Sequence, residues 1–138
     1  MSVFTDISAA LDGRLNTLAD SPPVAWENKE YTPTKSTLYL RPTNLAGSTT
    51  QSSLGTSGED MNEGVYQVDV FAPAGRGKKA ANDAADGVAD HFKRGTDLTY
   101  NGRTVRVRSV SRGAGRNSNG WYQIPVIINY YAITAART

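Results

Sequence analysis

The sequence predicts an α+β domain: an antiparallel-rich sheet of about four or five strands with two main helices packed on one face, as a two-layer sandwich. Two kinds of pattern support this prediction. Apolar residues recur at the spacing of a helix in two segments, and they alternate with polar residues at the spacing of a strand in several others. The length of 138 residues is that of one domain, so we expect residues 1–138 to form a single unit.

Both predicted helices are amphipathic. The first has an apolar stripe between Val3 and Leu18 and is stopped by Pro22 and Pro23. The second follows a glycine-rich turn, and its apolar residues stand at positions i, i+4, i+7 and i+11. These residues are Ala81, Ala85, Val88 and Phe92. In both helices the opposite side is polar, so each is expected to pack one side against a core.

The first strands are predicted from alternation. Tyr66, Val68 and Val70 share one face of a strand that precedes the second helix. A strand at residues 37–41 is expected to be short, because Pro42 follows it and lacks the N–H that a strand pairing needs.

The C-terminal part is predicted to form a hairpin and a long last strand. Asn101-Gly102 is the dipeptide favoured in a type I′ turn, and it separates residues 98–100 from residues 103–111. The last strand, residues 121–133, is apolar on both sides, so we expect both of its faces to be covered. Pro125 predicts a bulge or an unpaired position in this strand.

Two segments are predicted to be loops, a flexible one at residues 43–62 and a mobile one at residues 112–120. Fixing about twenty backbones in the first would cost on the order of 1 kcal/mol each, whereas burying its large apolar residues would return only about 2 kcal/mol apiece. It therefore either becomes ordered against another molecule or is a passive hairpin tip. Its candidate interface residues are Leu45, Leu54, Glu59, Asp60, Met61 and Glu63.

A basic ridge is predicted on the hairpin that precedes the second loop. Arg106, Arg108 and Arg112 stand at even spacing, which predicts that they share one side of a strand. The full candidate set is Arg103, Arg106, Arg108, Arg112 and Arg116. The ridge is either a solvated face, a contact with a neighbouring subunit, or a positive surface near DNA. No base-reading motif accompanies it.

Composition excludes several classes of site. The chain has no cysteine, which rules out disulfides, thiolate metal sites and a cysteine nucleophile. Neither a signal-peptide pattern nor an apolar run long enough to span a bilayer is present, so we expect no membrane contact. Charge is uneven: residues 1–75 hold four Lys or Arg and nine Asp or Glu, and residues 76–138 hold eleven and four. The asymmetry marks an electrostatic contact, or else it averages out because the halves interleave.

No catalytic residue, metal site or cofactor is predicted. The turn at residues 75–79, Gly-Arg-Gly-Lys-Lys, is similar to a phosphate-binding loop, and its backbone amides are able to bind an anion. A Walker loop, however, needs glycine where Ala72 stands and Ser or Thr where Lys79 stands. His91, the single histidine, is predicted to lie beside the apolar stripe without a partner. The acidic cluster of the first loop lacks the spacing of a calcium loop.

Four pieces of the chain together resemble a known family. They are the N-terminal helix, the strand and turn Y-Q-V-D-V-F-x-P-x-G-x-G at residues 66–77, the helix A-D-G-V-A-D-H-F at residues 85–92, and the aromatic C-terminal strand. The chain resembles the tail terminator (tail completion) proteins of long-tailed bacteriophages, and is similar to the minor tail protein U type.

This resemblance implies a virion structural protein rather than an enzyme, located at the head-proximal end of the tail and assembled in the host cytoplasm. Copies of it, six in that family, would form a hexameric ring that stops growth of the tail tube and joins the head. Its partners would be further copies, the major tail tube protein, the head-tail connector protein and, non-specifically, passing DNA. Residues 43–62 would contact a neighbour or the tube, and the basic ridge a neighbour or the lumen.

Two other functions remain open. One is a different neck or connector component, such as a stopper. The other is a non-sequence-specific nucleic-acid-binding module that uses the arginines of the hairpin.

Overall fold

The computed structural model describes residues 3–18, 22–53 and 58–135. Its elements follow the order α1 (Val3–Leu15), β1 (Tyr39–Gln51), β2 (Glu59–Pro73), α2 (Lys79–His91), β3 (Asp97–Tyr100), β4 (Arg103–Arg112), β5 (Arg116–Ser118) and β6 (Trp121–Ala135). Within these residues the fold is a mixed α/β fold of two helices and one six-stranded sheet, whose strand pairs are all antiparallel.

The two longest strands form the centre of the sheet. The strand order is β1-β2-β6-β4-β3, with β5 paired to the same side of β6 as β4. β2 and β6 pair without a register shift from Glu59 opposite Ala135 to Pro73 opposite Trp121. Because β2 comes from the acidic half of the chain and β6 from the basic half, the two halves interleave in one sheet.

One face of the sheet, called the inner face here, contains the core. Tyr66 and Val68 of β2, Val105 of β4 and Ile128 of β6 are buried in the same cluster as residues of both helices, among them Leu11. Side chains alternate along each strand, so the neighbouring residues of β2 and β6 point to the opposite face, called the outer face. The predicted stripe of α2 is confirmed, since Ala81, Ala85, Val88 and Phe92 are all buried in this core. In α1 the stripe is confirmed for Ile7, Leu11 and Leu15, whereas Phe4 is 49% exposed.

The predicted strand number was too low by one. The additional strand is β5, which lies inside the predicted loop at residues 112–120 and pairs with the beginning of β6. Asn119 and Gly120 join the two strands with φ values of 48° and 84°, as a type I′ turn requires. The same turn chemistry was recognised at Asn101-Gly102, where the predicted hairpin is confirmed.

The predicted loop at residues 43–62 is largely strand. Residues 43–51 belong to β1 and residues 59–62 to β2, so the described structure corresponds to the hairpin alternative. The estimate from side-chain burial omitted the ladder of hydrogen bonds that β2 makes on both sides, with β1 and β6. Pro42 does not end the strand either: it pairs with Val68, and β1 is an edge strand, where proline is tolerated.

Pro125 lies where β6 changes partner. Val126 pairs with β4 and Gln123 pairs with β5, so the missing N–H falls in the gap between these two ladders. On its other side Pro125 stays in register with Asp69 of β2. The strand therefore has an unpaired position rather than a bulge at this proline.

Neither of the helices in the described residues is long and apolar enough to cross a membrane.

Candidate assembly surface

The outer face of the sheet carries an apolar stripe that the described chain leaves uncovered. Leu45 keeps 50% of its surface exposed, and its register partner Val65 is half-buried. Four further half-buried residues complete the stripe: Met61 of β2 and Ile127, Tyr131 and Ile133 of β6. None of these six residues belongs to the core of the described residues or packs against it. The stripe runs across three strands, and we call it the outer stripe.

Arg108 extends over the outer stripe from β4. Its guanidinium carbon lies 4.8 Å from the centre of the Tyr131 ring, and one nitrogen lies 3.9 Å from the sulfur of Met61. The other terminal nitrogen, Nη1, is 3.6 Å from Oε1 of Glu63. Met61 and Glu63 were predicted as interface residues and Arg108 as part of the basic ridge, so the structure brings two separately predicted sets together.

The basic ridge does not form as predicted. The register of β4 against β6 shifts between Val107 and Ser109, and this bulge moves the residues beyond it to the other face. Arg106 lies on the outer face and binds Asp97 with two hydrogen bonds, of 2.7 and 2.9 Å. Arg112 contacts Asn82 of α2 at 2.7 Å instead. Even spacing in sequence was therefore not sufficient to place these arginines together.

The first arginine of the predicted ridge is used inside the subunit. Arg103 forms an ion pair with Asp6 of α1, which is fully buried, and Asn101 donates to the same carboxylate at 3.3 Å. The other oxygen of Asp6 has no hydrogen-bond partner among the described residues. The last of the set, Arg116, is exposed in β5. Within the described residues, two ion pairs thus connect the acidic and basic halves of the chain, through Asp6 and through Glu63.

The remaining predicted interface residues lie at the end of the β1–β2 hairpin. Glu59 is exposed and Asp60 half-buried, and Asp60 pairs with Gln51 on one side and Thr134 on the other. Leu54 lies outside the described residues. A buried hydrogen-bonded group that was not predicted lies beside them, in which Asn62 donates to Thr134 at 2.8 Å and accepts from Thr49 at 2.8 Å. Alternation from Tyr66 back along β2 would have placed Asn62 on the inner face.

A second surface lies beside α2. A cavity of about 740 Å³ has Leu18, Leu38 and Ala84 among its apolar lining residues and Asp83 and Asp90 among its acidic ones. It lies between α2 and the segment that leads into β1. Asp83 and Asp90 of α2 thus border an apolar groove, which makes this surface unlike the outer stripe.

His91, which also lines this groove, has partners contrary to the prediction. Its Nε2 lies 2.8 Å from the carbonyl oxygen of Arg14 and 2.9 Å from the hydroxyl of Thr17. Its own carbonyl accepts a hydrogen bond from Arg14 at 3.0 Å. His91 therefore joins the end of α2 to the end of α1.

The carboxylate of Asp12, which contacts Tyr66, has a raised pKa. The Tyr66 hydroxyl donates to Oδ1 of Asp12 at 2.6 Å. Burial raises the pKa of Asp12 above its ordinary value, the hydrogen bond from Tyr66 acts in the opposite direction, and the charge of Glu27 raises it further. Burial likewise raises the pKa of Tyr66, so its hydroxyl stays protonated and remains a donor. The pair fixes α1 to the inner face of β2.

Among the described residues, no group of three or more His, Cys, Asp or Glu side chains is placed to hold a metal ion. Within the described residues, the geometry brings Ser36 and His91 to the cavity beside α2, but Nε2 of His91 is already hydrogen-bonded to Arg14 and Thr17. What it offers is a pair of unlike surfaces, one apolar across three strands and one apolar with an acidic border.

Comparison with known proteins identifies the family. The sequence profile of the phage tail terminator proteins matches residues 6–130. The chain belongs to the phage tail terminator family. Members of this family are structural proteins of the phage tail, so the chain is a bacteriophage tail protein. The match spans most of α1, all of α2 and nearly the whole sheet, and it includes the outer stripe except for Tyr131 and Ile133. The more specific similarity to the U type stays a prediction.

A solved structure shares this fold over its full length. It is 26% identical to the chain, covers 96% of both chains and superposes with a TM-score of 0.74. No curated protein matches the chain.

Proposed function

We propose that the protein is a tail terminator that forms a ring at the head-proximal end of the tail tube, stops tube polymerisation and provides the surface that joins tail to head. Assembly takes place in the host cytoplasm, and six copies form the ring. Family membership supports the phage tail setting. The observation that carries the proposal beyond the family is the outer stripe, an apolar surface that the described residues of this tail protein leave uncovered.

The arrangement of the two faces supports this function. Residues of both helices are buried in one core with the inner face, and we assign the contact between molecules to the outer stripe. Interfaces are enriched in Tyr, Met and Arg at their centres. The outer stripe contains Tyr131 and Met61, and Arg108 lies over both. Such a stripe fits a neighbouring subunit or the tube protein.

A ring also needs two different surfaces on each copy. Head-to-tail contacts, in which one surface meets an unlike surface of the next copy, close into rings when the rotation is right. The outer stripe and the acid-bordered groove beside α2 are unlike in this sense. The charge asymmetry of the sequence also predicts that the acidic half of one copy faces the basic hairpin of the next. This stays a prediction, but Arg103 and Arg108 already have carboxylate partners inside their own chain.

The test introduces one charge into the outer stripe. Ile133→Asp places a carboxylate opposite Met61, and the control Thr104→Asp places one at an exposed position of β4 outside the stripe. We expect the wild-type chain and the control to form rings in solution or on tubes, and Ile133→Asp to remain monomeric while it keeps its circular dichroism spectrum. Solution mass measured alone and with tail tubes gives the readout.

Tube length provides the functional measurement. Adding the wild-type chain to polymerising tail tube protein should shorten the tubes seen by electron microscopy, and Ile133→Asp should not. Rings that form but leave tube length unchanged would contradict a terminator and indicate another neck component. A chain that stays monomeric with and without tubes would overturn the ring itself.

A further inference from the structure

The two glycine-rich segments at residues 74–78 and 112–120 meet at one end of the molecule. The N–H of Ala74 donates to the carbonyl of Gly120 at 3.1 Å, and Lys78 and Asn117 line one cavity of about 440 Å³. The second segment lies close against β6: a Cβ on Gly115 would lie 2.1 Å from the hydroxyl oxygen of Tyr122. Only glycine permits this approach, and it holds the segment against the strand.

Positive charge accumulates at this end. Arg76 donates to the hydroxyl of Ser36 at 3.0 Å, which places the turn before α2 beside Lys35. Arg112 donates a hydrogen bond to the side-chain oxygen of Asn82, near the beginning of α2, at 2.7 Å. The full set of cations is Lys35, Arg76, Lys78, Lys79, Arg112 and Arg116. Arg116 joins the set from the outer face of β5, since it pairs with Gln123. Within the described residues, only Lys79 of these six has a carboxylate partner, the exposed Asp83. We call this set the basic end.

The chemistry of the basic end favours a nucleic-acid backbone over a protein surface. Protein interfaces have apolar, often aromatic centres and are poor in lysine, whereas residues 75–79 and 112–120 are Gly, Lys, Arg, Asn and Ser apart from Ala114. Interfaces with DNA are more polar and much more positive. The first turn of α2 adds free amide groups, because it has no side-chain cap and no acidic residue.

We infer that the basic end is a binding site for the phosphates of duplex DNA, used without sequence specificity. Lys78, Arg76 and Arg116 are the principal contacts, and Arg112 is held against α2 beside them. The hairpin arginines Arg103 and Arg106 take no part, because each already pairs with a carboxylate. For its place in the virion this inference depends on the proposed function, since a ring would present the basic end once per copy to DNA that enters the tail.

The test compares two triple variants with the same loss of charge. Arg76→Gln, Lys78→Gln and Arg116→Gln together remove three cations from the basic end. The control Lys29→Gln, Lys93→Gln and Arg94→Gln removes three exposed cations elsewhere. Affinity for a labelled duplex of unrelated sequence is measured by fluorescence anisotropy between about 50 and 200 mM salt.

We expect the first variant to bind at least about 10-fold more weakly at low salt, with the slope of log K against log salt lowered by about 0.9 for each contact removed. The control should bind like the wild-type chain. Equal loss in both variants would show that net charge alone is responsible and would overturn the inference. Tighter binding of the wild-type chain to labelled poly-glutamate than to the duplex, lost in the first variant, would assign the basic end to an acidic protein and overturn it as well.

Ring formation by the same samples separates this inference from the proposed function. A first variant that still forms rings and shortens tubes, yet binds DNA like the control, would refute the DNA site alone. A wild-type chain that never forms rings would refute the proposed function, while the anisotropy result would still decide whether the basic end binds DNA.

Discussion

The two faces of β6 differ in what covers them. On the inner face, Ile124, Val126 and Ile128 are fully buried against the rest of the core. On the outer face, Ile127 and Tyr131 are equally apolar but remain half-buried. The sequence of the strand predicted a cover on both sides. Within the described residues the inner side is covered along the strand, whereas the outer side is covered only near its beginning, where Gln123 is buried. The inner face therefore serves the stability of the subunit, and the outer face is available for contact between molecules.

The largest expected difference between the faces concerns their ion pairs. Asp6→Ala removes the buried partner of Arg103 on the inner side, and breaking a buried pair costs about 3–5 kcal/mol. Asp97→Ala removes the exposed partner of Arg106 on the outer side, and we expect no measurable change in the midpoint of thermal unfolding. Urea unfolding of both variants makes the comparison.

A double replacement checks the cause of this loss. Asp6→Leu with Arg103→Met removes both charges and keeps apolar volume, so it should be more stable than Asp6→Ala. If Asp6→Ala unfolds at the same urea concentration as the wild-type chain, the pair does not anchor α1 and the contrast between the faces fails.

Adjacent isoleucines give the next comparison. Ile128→Ala opens a cavity in the core and should cost about 2–5 kcal/mol. Ile127→Ala, one residue earlier and on the outer face, should cost about 1 kcal/mol or less, but it should weaken assembly on tubes. Chemical denaturation and co-sedimentation with tubes measure the two effects. Similar losses of stability in both variants would show that the outer face is also part of the subunit's core.

The smallest expected effect depends on pH and on Asp12. Its pKa in the folded chain is raised above the ordinary 3.8, so its contribution to stability is full below about that pH and is lost as the pH rises through the folded value. Asp12→Asn cannot ionise and keeps an oxygen for the Tyr66 hydroxyl. We expect this variant to gain stability relative to the wild-type chain between about pH 4 and 7, by less than about 1 kcal/mol because Asp12 is partly exposed.

Thermal unfolding across this pH range is the measurement. Tyr66→Phe serves as the control, because it removes the hydrogen bond but leaves the ionisable group. An advantage of Asp12→Asn that grows toward low pH would reverse the expected sign and rule out burial as the cause.

The Asn-Gly dipeptide indicates a tight hairpin turn at both places where it occurs in the sequence. Asn101-Gly102 and Asn119-Gly120 form equivalent turns with positive φ at both residues. The first was predicted because the segment that follows it has the alternating apolar and polar residues of a strand. The second was missed because β5 is only three residues long and lies in a run of Gly, Ser and Asn, where side-chain patterns are too weak to show a strand.

Simple alternation along β4 predicted the face of Arg112 wrongly. A strand keeps its alternation only while its register is unbroken, and a bulge reverses the faces of every later residue. The register shift after Val107 separates Arg112 from Arg106. The one sign of it in the sequence is Val110, which is out of phase with Val105 and Val107 and yet packs against the same core. The interface candidates Met61 and Arg108 likewise meet only because β2 and β4 both flank β6.

The sequence by itself determined the helices, most of the strands, the first hairpin turn and the family, because these depend on local periodicity, on turn residues and on motifs contiguous in the chain. The tertiary structure decided which apolar residues are covered, which cations find carboxylates and which remain free at the basic end. Those outcomes depend on strand order and register, which bring together residues that are far apart in sequence and leave Lys78 and Arg116 without a carboxylate partner among the described residues.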